Sequence, residues 1–312
     1  MNEQQYYDRM DQSVDDKLKV LDHLPNSGNF LDFGAGTGSI APAIQSYGMV
    51  YYAYDESKQS YEQLIAKGLT ILTKIDLLSG YENFFDVIYL SSVFHEIYSI
   101  NIEKYDEENK IKGEYDTYNY IFGILGRLLK KNGKIIIRDW PGVSENAFVL
   151  KNIKIREDHI ESFAEFFLIY KNKEIFKNFK YQTDDEKIRG NYLYFDKSAG
   201  VLTASQSQLY EMILHYNWSF SSGKGHGSFS SGKEKSDRES WNRESNEYYG
   251  GFSLKFLLLY LYNGPYKINS YDEYFQEDYT DHLNNFMELS DAEGFVNTFF
   301  NTKMMLVVEK IK

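Results

Sequence analysis

Three glycines at alternate positions, Gly34, Gly36 and Gly38, follow an acid, Asp32, in the run Asn29–Ile40. Glycine takes positive φ at little steric cost and lets a backbone come close to a ligand. The residues before the turn read as a short apolar strand, and those after it open a helix whose first N–H groups lack partners. A second acid, Asp55, ends the apolar run Met49–Tyr54. There it can take both hydroxyls of a ribose or cap the following helix over 57–67. His95 suits a general base because imidazole titrates near neutral pH. Its neighbour Glu96 can orient it or hold a substrate amine. Arg138 and Asp139 close a later apolar run; Arg138 suits an anionic substrate group or an internal pair with Asp139 or another acid.

A strand, a glycine turn and a helix make a nucleotide site in doubly wound α/β sheets. The dinucleotide spacing G-x-G-x-x-G needs a glycine at 39, where the chain has Ser39. Asp32 would repel a pyrophosphate and welcome an ammonium group, which favours S-adenosylmethionine (SAM). The string D-F-G-A-G-T-G over 32–38 resembles motif I of the class I SAM-dependent methyltransferases. The stretch L-L-K-K-N-G-K-I-I-I-R-D over 128–139 resembles the approach to their fifth strand.

That resemblance implies SAM as cofactor and S-adenosylhomocysteine as product. It implies binding by Asp32, Gly34, Ala35, Gly36 and Gly38, with Asp55 and Glu56 on the ribose side. Asp76 would receive the adenine amino group and Leu77 would pack on the ring. Ser91, opening the run Ser91–Ser99, falls where the methyl acceptor meets SAM. His95 and Glu96, with Arg138 and Asp139 on the substrate side, are the catalytic candidates, although many family members keep a histidine here that only packs beside SAM.

Several chemistries lack their marks. The run after Leu90 departs from N/D-P-P-Y/F, no K-D-K-E set stands out, and the absence of cysteine closes the thiolate route to pyrimidine C5. His95-Glu96 has Ser99 where a zinc helix needs its second histidine, so no metal is expected. The net charge of −12 disfavours polyanion partners. A small-molecule acceptor leads. An RNA or protein methyltransferase would need a basic face, for which Lys151, Lys154, Arg156, Lys171, Lys173, Lys177 and Lys180 are candidates. A SAM-binding module without turnover is the third reading. No run of about 18 apolar residues suggests a membrane span. The polar N-terminus does not read as a signal peptide, and a cytoplasmic protein is expected.

The elements that must position these groups are a helix over about 3–23, with Tyr6, Tyr7 and Met10 as lid candidates, then strands and helices in alternation. Strands are expected at 49–54, 70–74, 85–90 and 134–138, with a helix over 115–131 and a charged loop over 101–112. The resemblance implies a seven-strand α/β sheet, order 3-2-1-4-5-7-6, with the last strand antiparallel. The end of the chain reads as a hairpin of Phe295–Phe300 and Met304–Glu309. This divides the chain into an N-terminal segment, 1–27; a core, 28–140 and 291–312; and 141–290, holding a core helix over 156–170 and an insertion between strands five and six. Within the insertion, 202–216 reads as helix and 219–240 as a flexible loop. Arg243 and the aromatics at 241–252 could form a lid there or anchor that loop.

Overall fold

The structure, a computed structural model, describes residues 11–105, 109–141, 150–172, 193–205, 209, 212, 213, 216, 252–276, 283, 287, 288 and 301–312. The chain divides into two compact units. The first comprises Glu3–Pro141, Phe252–Tyr274 and Thr302–Lys312; the second comprises Met1–Asn2, Gly142–Gly251 and Phe275–Asn301.

The first unit opens with α1 (Val14–Lys17), which tightens into a 3-10 helix over Leu18–His23. Strand β1 (Gly28–Phe33), α2 (Ala41–Tyr47), β2 (Met49–Tyr54), α3 (Lys58–Ala66), β3 (Thr70–Ile71), α4 (Lys74–Ser79) and β4 (Phe85–Ser91) follow in alternation. Then come α5 (Phe94–Ile102), α6 (Lys110–Leu128) and β5 (Leu129–Asp139). The unit is completed by α8 (Leu254–Asn263), β9 (Tyr266–Tyr274) and β11 (Lys303–Lys310). The sheet order is β3-β2-β1-β4-β5-β11-β9. β11 runs antiparallel to both β5 and β9. With β9 and β11 as the sixth and seventh strands, this is the 3-2-1-4-5-7-6 order of the class I methyltransferase fold.

Strands β1 and β4 sit at the centre because both faces of each are apolar. Phe30, Leu31 and the run Val87–Leu90 are fully buried. Each such side chain contributes roughly 1.5–3 kcal/mol, and continuous apolar runs of this kind mark parallel strands covered on both faces. Helix starts are written locally. Ser57 caps α3 by accepting from Ser60 N, and Thr73 with Asp76 forms a capping box on α4.

Several expected boundaries are corrected. The third strand stops at Ile71, because the Thr73–Asp76 capping box starts a helix at Lys74. The expected loop over 101–112 is helix at both ends, the last turn of α5 and the first of α6. The Asn132-Gly133 pair does not end a helix. Phe85 faces Leu129 but Val87 faces Lys134, so β5 bulges between them, with Asn132 at φ 63°.

The sixth strand is β9, not Phe295–Phe300, which lies outside the described residues. The helix leading into it is α8 rather than 156–170. Two segments therefore interrupt the sheet unit, one before α8 and one between β9 and β11.

The second unit contains β6 (Leu150–Ile155), α7 (Ile160–Asn172), β7 (Leu193–Asp196), β8 (Val201–Ser205) and β10 (Met287–Glu288). Its sheet is antiparallel, in the order β10-β6-β8-β7. Residues 202–205, expected as the start of a helix over 202–216, lie in strand β8; alternate Leu202 and Ala204 are buried while Val201 and Thr203 are half-buried. Phe163 and Phe166 of α7 pack edge-on against Tyr216. Of the basic-face candidates, Lys151 and Lys154 lie on β6, Arg156 follows it and Lys171 falls in the last turn of α7, while Lys173, Lys177 and Lys180 lie outside the described residues. So do Tyr6, Tyr7, Met10, 219–240 and 241–251.

Candidate active site

The glycine turn after β1 is held from below by the end of β2. Gly34 N and Ala35 N both donate to Tyr54 O, at 2.8 and 3.0 Å. Gly36 N donates to Asp55 Oδ2 at 2.8 Å, and Gly38 N to Ala35 O at 2.8 Å. Gly38 has φ 67°, and a Cβ there would come within 2.7 Å of the Leu64 and Leu69 side chains, so α3 fits closely against the turn. With the amides at 34, 35, 36 and 38 committed, this turn does not offer the cradle of free N–H groups that a pyrophosphate needs.

Asp32 lies beneath the turn, 3 % exposed, and Tyr51 donates to its Oδ2 at 2.6 Å. Burial pushes its carboxyl up to about 6, against the opposing pull of the Tyr51 hydroxyl and the Lys17 ammonium. Asp32, Gly34, Ala35, Gly36 and Ser91 line one cleft with Asp11, Lys17, Thr37, Ser39 and Ile40. Asp55 joins this site through Gly36 and, through Oδ1, accepts from Ser57 N at 2.8 Å. Asp55 does not cap α3; Ser57 does.

The remaining residues expected on the cofactor side stand outside the cleft lining. Glu56 is exposed and accepts from Tyr54 OH at 2.8 Å. Asp76 Oδ2 accepts from both the N–H and the hydroxyl of Thr73 at 2.7 Å, and these bonds hold its carboxyl below the ordinary value. Leu77, the next residue, is buried.

A second cluster forms where β4 and β5 end. Asp139 is fully buried and takes three donors: His95 Nδ1 at 2.7 Å, His95 N at 3.1 Å and Trp140 N at 2.7 Å. Burial alone would raise its carboxyl; His95, Lys303 and the Trp140 amide outweigh that and hold it below the ordinary value. An ionised Asp139 places the His95 proton on Nδ1, so Nε2 is the basic nitrogen. Glu96 sits half-buried in the first turn of α5.

Arg138 takes the internal-pair alternative, and its partner is Asp16 rather than Asp139. Nε donates to Asp16 Oδ2 at 2.5 Å, Nη2 contacts the same oxygen, and Nη1 reaches Ser91 Oγ and Ser92 Oγ at 3.2 Å. At 1 % exposure it is a buried brace between α1 and the end of β4, not an open clamp.

The sequence reading passed over four contributors. Lys17 and Asp16 look like the solvated side of an amphipathic helix. Asp11 accepts from Thr37 Oγ1 at 2.7 Å. Lys303 lies over the Trp140 ring at 3.8 Å, donates to Ser92 Oγ at 3.0 Å, and is pushed well below the ordinary lysine value, first by burial. It precedes the apolar run of β11 and carries no local signal. The charge of Lys17 facing Asp32 could be found only from the packed structure.

No protein-family model matches the chain, and no curated protein does. Solved structures similar to this chain include SAM-dependent methyltransferases. One from Methanosarcina mazei is 12% identical, with a TM-score of 0.42 over 94% of this chain and 97% of that one. One from Mesorhizobium loti is 12% identical, with a TM-score of 0.45 over 94% and 97%. A putative SAM-dependent methyltransferase from Listeria monocytogenes is 13% identical, with a TM-score of 0.45 over 97% and 99%.

Proposed function

We propose that this chain is a SAM-dependent methyltransferase acting on a nitrogen or oxygen of a small acceptor. The observation that carries the reading is Asp32, a buried ionisable acid opening into a cleft beneath a glycine turn whose amides are already committed. That arrangement suits a cationic amino group and not a pyrophosphate. Asp55 has lone pairs beyond those used by Gly36 and Ser57, and these suit the ribose hydroxyls. Asp76 and Leu77 serve the adenine side, and Ser91 lies where cofactor and acceptor meet.

When bound, SAM supplies a methyl group on a sulfonium, open to in-line displacement by a lone pair. The chain's own contribution is alignment, which alone can supply much of the rate. His95, its tautomer fixed by Asp139, accepts the proton of a hydroxyl acceptor at Nε2; an amine acceptor needs little help. The net charge of −12 favours a small acceptor over a polyanion.

The test is calorimetric titration with SAM and S-adenosylhomocysteine, wild type beside Asp55→Ala and Asp55→Asn. Micromolar binding is expected, weakened about tenfold or more in Asp55→Ala, where an interaction worth at least ~1.4 kcal/mol is lost. S-Adenosylhomocysteine should then accumulate with a suitable acceptor. Absence of binding by both ligands would sink the reading.

A further inference from the structure

The cleft contains a cation as well as an acid. Lys17 is the last residue of α1, half-buried, and its side chain lines the same cleft as Asp32. Its backbone is pinned, since Tyr89 OH donates to Lys17 O at 3.1 Å. The residue before it, Asp16, is gripped by Arg138 and by Tyr274 OH at 3.1 Å. Neighbouring cations have evident partners. Arg138 and Lys19 share Asp16, and Lys67 Nζ donates to Thr37 O at 2.6 Å. Among the described residues Lys17 Nζ makes no hydrogen bond or ion pair, although the fields of Asp32 and Asp11 reach it. A half-buried ammonium whose backbone is anchored beside a cleft, with no counter-ion in contact among the described residues, is costly unless a ligand brings one.

An acid and an ammonium facing the same cleft complement the zwitterion of an α-amino acid. We infer that Lys17 binds the carboxylate at the amino-acid end of the cofactor while Asp32 meets its ammonium. This inference rests on the reading of the cleft as a SAM site, and adds to it the group that selects for the carboxylate. Because Asp16 and Arg138 fix the backbone beside Lys17, the N-terminal helix becomes part of the cofactor site. Ligands without the carboxylate gain nothing from Lys17.

The experiment is a calorimetric titration of the full chain with two probes, SAM and decarboxylated SAM, which share the sulfonium, ribose and adenine. Wild type, Lys17→Met and Lys17→Arg are compared. Lys17→Met should weaken SAM roughly 10- to 100-fold, as expected for a charged hydrogen bond, and change decarboxylated SAM by less than about twofold. Lys17→Arg should restore most of the loss, and unchanged binding of decarboxylated SAM shows that the variant is folded. Equal weakening of both probes, or of neither, overturns the role of Lys17 while leaving the cofactor reading standing. Wild type that binds neither probe removes the cofactor reading itself, and this inference with it.

Discussion

Asp16 and Arg138 stand 122 residues apart in the chain and meet inside the protein, with Arg138 Nε donating to Asp16 Oδ2 at 2.5 Å. The pair ties α1 to β5. Asp16→Ala would leave a buried guanidinium without its counter-ion, a change that costs about 3–5 kcal/mol. A urea midpoint well below wild type is the expected result; an unchanged midpoint would show that the pair carries no stability. Burial alone would raise the Asp16 carboxyl, but Arg138 and Lys19 outweigh it and hold it below 3.8. Its folded value is depressed, so its contribution is present above that pH and is lost on acidification through the lower folded value.

Cofactor binding should have a pH window. Burial pushes Asp32, which faces Tyr51, Lys17 and Asp55, up to about 6. Burial and then Arg138 push Lys17, which also faces Asp32 and Asp11, down to about 8. Both groups are charged between those values. Affinity for SAM should therefore be highest there and fall by up to about tenfold per pH unit on either side. Calorimetry across about pH 5 to 9 checks this; a flat profile would exclude both residues as ionic partners.

Folding responds with the opposite sign at Asp32. Its folded value is raised, so the stability it contributes is present below 3.8 and is lost as pH rises through about 6. Asp32→Asn keeps an acceptor for Tyr51 and removes the buried charge. The variant should melt no lower than wild type at neutral pH, yet bind SAM at least about tenfold more weakly, the loss of ~1.4 kcal/mol or more. A matching loss of stability and binding would make Asp32 a structural group only.

His95 offers a readout that needs no acceptor. With Asp139 ionised, nitrogen-15 spectra of the imidazole should show the proton on Nδ1 and none on Nε2. Asp139→Asn should disturb that tautomer. Once an acceptor is known, His95→Gln should lower kcat about 10²- to 10⁴-fold for a hydroxyl substrate, with SAM affinity retained. A spectrum with the proton on Nε2 would remove His95 as the base.

Gly38→Ala tests the packing of the turn. At φ 67°, with Leu64 and Leu69 side chains within 2.7 Å of the new Cβ, the methyl group meets both backbone strain and a clash. A loss of about 1–3 kcal/mol is expected. Thermal melting measures it, and a wild-type melting point would mean that the turn relaxes freely.

Much of the candidate site is written locally. The run over 29–40, the acid after β2 and the apolar β4 each specify strand, turn or helix from neighbouring residues, and alternation of such elements implies a parallel sheet. The run Lys303–Lys310 is buried along most of its length, which is why it reads as a strand beside β5. β9 did not announce itself in the same way. Only Tyr266 of its nine residues is buried, as suits an edge strand, so its polar and aromatic sequence carries no continuous apolar signal. Phe295–Phe300 carried the stronger apolar pattern, but local pattern does not say which distant segment completes a sheet.

The charged groups divide in the same way. The sequence by itself determined Asp32, Asp55 and the glycine turn, because their spacing is confined to one strand–turn–helix and the strand that follows. Only the tertiary structure decided that Arg138 is matched by Asp16, that Asp139 orients His95, and that Lys17 shares the cleft of Asp32. Those partnerships link residues far apart in the chain, and helix periodicity marks which face of a helix is charged without saying what that face will meet.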